Sequence, residues 1–171
     1  PFEALHFVDL LYNEPLLSYK SIWAKVSWLC SKKTVTCFTK IKYMSKQIIN
    51  TRNAPAPIGP YNQAVKAGGF LFVSGQIAFI PPTTELLVGT IKEETHQVMK
   101  NLDAVLTEAQ ITFEHVVKTT IFLSDMSLFA EVNEVYGSYF SGNFPARETV
   151  AVKGLPKGVN VEISVIATTE L

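Results

Sequence analysis

The sequence predicts an α/β fold of the α+β kind, a mixed sheet of about six strands with two helices packed on one face. From Gln63 onward, apolar β-branched runs and amphipathic stretches follow the order strand, strand, helix, strand, helix, strand, strand, with no internal repeat. Gly68-Gly69 separates the first two apolar runs, which is a hairpin signal. Residues 91–110 keep helical spacing over about five turns. Two helices cannot cover both faces of such a sheet. The remaining face is expected to meet another copy of the chain in a closed homo-oligomer.

At 171 residues and 47% hydrophobic content, the chain can bury a substantial core. Basic and acidic residues balance at 15 each, so no global field argues for nucleic acid or an anionic membrane surface. That balance conceals an asymmetry. Residues 1–43 carry six lysines against three acids, a net of +3, and residues 44–171 carry nine basic against twelve acidic residues, a net of −3. Residues 1–43 are therefore expected to be an extension outside the functional domain, which occupies 44–171, and Met44-Ser45-Lys46 reads as a natural start. Lys20, Lys25 and Lys32 break the apolar runs of the extension, far short of the ~20 residues that span a bilayer. It contains no arginine, unlike a typical transit peptide. A cytoplasmic location is expected, or a mitochondrial one if residues 1–43 act as a transit segment. Both cysteines, Cys30 and Cys37, fall in the extension without partners at zinc-like spacing, so no metal site is expected. The domain itself has no thiol nucleophile.

The segment from Asn53 to Tyr61 holds three prolines and a glycine, which argues for a fixed extended loop that delivers Tyr61 to a defined place. Strands are expected at Gln63–Lys66 and Phe70–Ser74. Gly75 follows at the strand end, where it either lets a ligand or backbone approach closely or marks a plain bulge. Ile80 to Thr90, with Pro81-Pro82, reads as a loop. In the first helix Val98, Leu102, Val105 and Ala109 form the apolar face, and His96, Lys100, Asp103 and Thr107 the solvated one. His115 lies in the next link and receives no role. Val116 to Leu123 is a strand, and Ser127 is the expected N-cap of the second helix. Within that helix Asn133 stands among Phe129, Tyr136 and Phe140. An unmatched buried amide costs ~1 to 3 kcal/mol, so Asn133 either faces a polar site across an interface or is exposed.

The stretch FPARETVAVKGLPKGVNVE, from Phe144 to Glu162, places Arg147 at the mouth of one strand and Glu162 inside the next. If the two strands pair, they bring a guanidinium and a carboxylate to one face. A guanidinium fork suits bidentate capture of a small carboxylate, and a carboxylate beside it can accept a proton from water. The alternatives at this point are that Arg147 and Glu162 pair with each other or sit in water.

GPYNQAV (59–65), VSGQI (73–77), VVKTTIFLSDMSLFAEVNEVY (116–136), FPARETVAV (144–152) and LPKGVNVEISVIA (155–167) resemble the Rid, or YjgF-like, family, specifically its imine deaminase branch. The resemblance spans essentially 44–171. It implies a chorismate-mutase-like fold, a homotrimer with sites between subunits, and neither cofactor nor metal. The implied reaction is hydrolysis of 2-imino acids, in exchange with 2-enamines, to 2-keto acids and ammonia. Arg147 would bind the substrate carboxylate and Glu162 would position or activate water. Tyr61, Ser74, Gly75 and Asn133 would line the pocket, and Thr149 would contribute its backbone carbonyl.

Four positions depart from the family pattern: Thr149 stands in place of a frequent cysteine, Ala78 of a proline, Thr84 of a turn glycine and Ser164 of a second glutamate. The last change leaves Glu162 as the sole carboxylate of its strand face. A different class of function, a non-catalytic small-carboxylate-binding or chaperone-like homotrimer, would keep Arg147 without needing Glu162. A nuclease would need a basic patch that the net acidic domain does not offer.

Overall fold

The computed structural model describes residues 45–170, and the expectations about residues 1–43 lie outside that range. Among the described residues, eight strands and two α-helices run in the order β1 (Gln47–Ile49), β2 (Ala64–Ala67), β3 (Phe70–Gln76), β4 (Phe79–Ile80), β5 (Glu85–Leu86), α1 (Ile91–Glu108), β6 (Val116–Leu123), α2 (Phe129–Gly137), β7 (Ala146–Ala151) and β8 (Val161–Thr168). The main sheet has the order β1-β2-β3-β8-β6-β7, and β4 pairs with β5 in a separate two-stranded ladder. The sheet is mixed because β6 and β7 run parallel while the other neighbours are antiparallel.

Local chemistry explains each junction. Gly68 and Gly69 have φ of 60° and 83°, the pair of positive values that a tight hairpin between β2 and β3 requires. Thr90 and Glu93 form a reciprocal capping box at the start of α1. The second helix begins differently from expectation. Asp125, not Ser127, is the cap: its Oδ1 accepts the Ser127 N–H at 2.7 Å and opens a short 3-10 turn, Met126–Leu128, ahead of α2. A carboxylate two residues upstream captures the free N–H before the serine can act. The expected loop at 80–90 contains β5.

Both helices lie on one side of the sheet. Val98, Leu102, Val105 and Leu106 of α1 and Val132 and Tyr136 of α2 pack with the alternate sheet residues Leu71, Val73, Ile121, Leu123, Ile163 and Val165. Residues paired across a ladder share a face, so Phe72 with Ile166, Thr120 with Ser164 and Phe122 with Val150 line the opposite side. No helix among the described residues covers that side. Ile48, Phe70, Phe72 and Val150, on the same side, remain 40 to 46% exposed. No helix among the described residues is long and apolar enough to cross a membrane.

A buried amide ties the helix layer to the sheet rim. Asn101 of α1 is 1% exposed; its Nδ2 donates to the carbonyls of Ile77 and Phe79 at 3.0 and 2.9 Å, and its Oδ1 accepts from Gln97 at 2.9 Å. Asn101→Leu leaves these groups unmatched and is expected to cost about 2 kcal/mol or more in urea unfolding.

Candidate active site

The residues singled out from the sequence fall into two clusters on opposite sides of the sheet. The first is built where β3 meets β8. Between Val73 and Gln76 the register slips by one residue against Val165 and Ile163, so Ser74 and Gly75 form a bulge at the strand end. Glu162 lies across that bulge. A Cβ placed on Gly75 would fall against the Glu162 carboxyl group, 2.8 Å from its Cδ, so only glycine lets the carboxylate occupy this place. Burial pushes the Glu162 pKa up from the ordinary carboxylate range.

Gln63 holds the facing loop, a role that sequence reasoning missed. Its side chain is 2% exposed, accepts the Thr51 N–H at 2.6 Å and donates to the carbonyls of Thr51, Ala54 and Pro55 at 3.0, 3.2 and 2.8 Å. Nothing in the short run Gln63–Lys66 set the amide apart from an ordinary surface residue. Ser74 closes the same loop from the strand, donating its Oγ–H to the carbonyl of Asn62 at 2.7 Å. The chain between these ties presents Tyr61, which is 46% exposed, to a cavity of about 350 Å³. Tyr61, Ser74, Gly75 and Glu162 line it together, with apolar walls from Ile58 and Phe79.

The second cluster sits between α2 and the edge strand β7. Arg147 Nη1 donates to Asn133 Oδ1 at 2.7 Å, and the guanidinium lies 5.1 Å from the ring centre of Tyr136 and 5.6 Å from that of Phe129. The stack fixes the plane of the fork. Asn133 is thereby explained: it is exposed, and its carbonyl oxygen orients the arginine. A cavity of about 380 Å³ opens beside them, lined by Asn133, Tyr136, Phe144, Pro145 and Arg147. No ion pair among the described residues involves Arg147. Two residues along the same strand face, the Thr149 Oγ1 is buried without a hydrogen-bond partner.

The expected pairing of the two strands is not what the structure shows. β7 pairs parallel with β6, in register Thr119 with Arg147, and β6 separates it from β8, in register Phe122 with Glu162. Thr119 is fully buried under the helices and Phe122 points to the other side, so Arg147 and Glu162 of one chain lie on opposite faces. They do not form the single-face pair that strand alternation allowed, because their partners on β6, Thr119 and Phe122, are an odd number of residues apart and so point to opposite faces.

The two clusters have complementary chemistry. One is a rigid cation with unspent donors on an aromatic shelf; the other is a partly buried carboxylate whose burial raises its proton affinity above that of an ordinary carboxylate. Among the described residues no group of three or more His, Cys, Asp or Glu is placed to hold a metal ion. Because the folded-state pKa of Glu162 is raised, the native state holds its proton more tightly than the unfolded chain does. Stability therefore falls as pH rises from the ordinary carboxylate range through the raised value. Glu162→Gln is expected to raise the melting temperature at neutral pH, with the gain closing as pH drops below that ordinary range, measurable by thermal melts across pH.

The family model Endoribonuclease L-PSP matches residues 51–169. A RutC family protein of Pyrococcus horikoshii is 50% identical over 125 residues, which cover 73% of this chain and 99% of that one. The 2-iminobutanoate/2-iminopropanoate deaminase of Mus musculus is 45% identical over 122 residues, covering 71% of this chain and 90% of that one. The crystal structure of a conserved Rid family protein from Yersinia pestis superposes with a TM-score of 0.71 at 50% identity, covering 72% of this chain and 99% of that one. The chain belongs to the Endoribonuclease L-PSP family, that of the RutC and Rid proteins.

Proposed function

We propose that this protein hydrolyses reactive 2-imino acids, such as 2-iminobutanoate and 2-iminopropanoate, to 2-keto acids and ammonia, in sites shared between the subunits of a homotrimer. The observation that carries this reading is the division of the site residues into two incomplete halves, Arg147 with Asn133 on one face and Glu162 with Tyr61, Ser74 and Gly75 on the other. The apolar, helix-free side of the sheet supplies a surface for a second copy. The mouse and rat relatives, at 45 and 46% identity, bear the deaminase name.

The chemistry needs little more than these groups. The Arg147 fork takes the substrate carboxylate and Asn133 keeps the fork aligned. Glu162 accepts a proton from water as the water oxygen bonds to the electrophilic C2 of the protonated imine. The carbinolamine then receives that proton on nitrogen from Glu162; as the C–N bond breaks and ammonia leaves, the hydroxyl proton passes back to Glu162 and on to the departing ammonia, leaving the 2-keto acid and ammonium. Positioned proton transfer of this kind is worth about 10²- to 10⁴-fold. A partly buried carboxylate suits it, because a pKa nearer the working pH serves both directions of transfer.

With an imino acid generated in situ and keto acid followed, Arg147→Ala is expected to weaken substrate binding and Glu162→Gln to lower kcat by about 10² or more. Mixing the two inactive variants and letting subunits reassort should restore about a quarter of the wild-type rate, since random assortment pairs an intact arginine with an intact glutamate at one junction in four. A mixture as inactive as its parts would sink the shared site. A wild-type protein that binds 2-keto acids without accelerating hydrolysis would establish the carboxylate-binding role in place of the enzyme. Gly75→Ala is expected to retain keto-acid binding through Arg147 while losing at least about tenfold in kcat, because its methyl group displaces the carboxylate.

A further inference from the structure

We propose that Glu94, on the first turns of α1, is a positioning residue that sets the place of Glu162 by holding the two residues ahead of it. The inference rests on the reading of the two half-sites as one hydrolytic site. Glu94 is 6% exposed, and no ion pair among the described residues neutralises it. Its carboxylate instead accepts three N–H groups: Oε1 from Asn160 N at 2.7 Å and Val161 N at 3.3 Å, and Oε2 from Asn160 Nδ2 at 3.0 Å. All three belong to the dipeptide directly before Glu162.

The Asn160 amide cannot turn round to suit another partner. Its Oδ1 accepts from Ser124 Oγ at 3.0 Å and its main-chain carbonyl from Ser124 N at 3.0 Å; the hydroxyl would suit either end of the amide, but the carboxylate of Glu94 only accepts, so Nδ2 faces Glu94. A glutamine at 94 would set an NH₂ group against one of these donors in either orientation, whereas a carboxylate accepts all three. The strand also enters from a turn with left-handed backbone at Lys157 and Gly158, φ 60° and 70°, and its first residues are paired on one side only: Val161 and Glu162 pair with β6, while the β3 ladder reaches no further than Ile163. Glu94 and Ser124 fix them from the helix layer and from the neighbouring strand. Glu162 then leaves the opposite face of the same strand and lands over Gly75. A shift on the order of 1 Å at a reacting group can cost about 10²-fold in rate, so an anchor one residue away has direct leverage on catalysis.

The test compares full-length wild type, Glu94→Gln, Glu162→Gln and the double variant. Folded Glu94→Gln is expected to lose about tenfold or more in kcat while its KM moves less than about threefold, since the Arg147 half is untouched. The double variant should be little slower than Glu162→Gln alone, because both changes disable one group. The ¹³C titration of the Glu162 carboxyl, assigned by its absence in Glu162→Gln, should shift in Glu94→Gln toward the ordinary carboxylate range as the side chain leaves its buried place. That titration needs no turnover. A wild type inactive on imino acids would refute the proposed function while the titration still decides the role of Glu94. If Glu94→Gln does not fold, Asn160→Ala, which removes one of the three bonds, is read by the same measurements. A variant that melts lower yet keeps wild-type kcat and an unmoved Glu162 titration would overturn the proposal.

Discussion

The parity of strand register around β6 decides which side of the sheet each candidate site residue faces. β6 pairs with β7 through Thr119 and Arg147 and with β8 through Phe122 and Glu162. Side chains alternate with a period of two, so an odd offset along the shared strand sends the guanidinium to the helix side and the carboxylate to the open side. The two strongest functional groups of the domain are thereby prevented from neutralising each other within one chain. The arginine keeps donors to spare, and the glutamate keeps a pKa raised by burial without a cation to lower it.

Much of the local architecture was legible in the residues. Val98, Leu102 and Val105 mark the buried face of α1, Gly68-Gly69 marks the hairpin, and the order of elements gives the helix-free face. The residues that the resemblance puts in one pocket divide in space, with Tyr61, Ser74, Gly75 and Glu162 around one cavity and Asn133 with Arg147 at another. What could not be read was which strands become neighbours. Phe144 to Glu162 looks like a hairpin because a turn joins two apolar runs, yet pairing is decided by the tertiary packing of β6, which lies some 40 residues upstream of β8. A cap such as Asp125 was missed because Ser127, two residues on, carries the same type of acceptor.

The other residues missed are of one kind: buried polar side chains. Gln63, Glu94 and Asn101 are each less than 7% exposed and each satisfies two or more backbone groups of a distant segment. In sequence they read as ordinary surface residues, except that Asn101 interrupts the apolar register of its helix next to Leu102. Buried polar networks are costly when half satisfied and stiff when complete. Here every one of them fixes a segment that borders the Glu162 cavity: the proline-rich loop, the β3–β4 connection and the start of β8.

That concentration of rigid anchors suits the proposed reaction, whose electrophile needs little activation. An imine carbon is attacked by water once the acid is held and a proton acceptor is near, so what the protein must supply is placement more than chemical power. Placement is divided: α2 and the edge strand aim the cation, while α1 and the bulged strand aim the carboxylate. In the proposed assembly the open face of one copy brings its carboxylate to the arginine edge of the next, and the proposed substrate, carrying the countercharge itself, would complete the electrostatics of the junction.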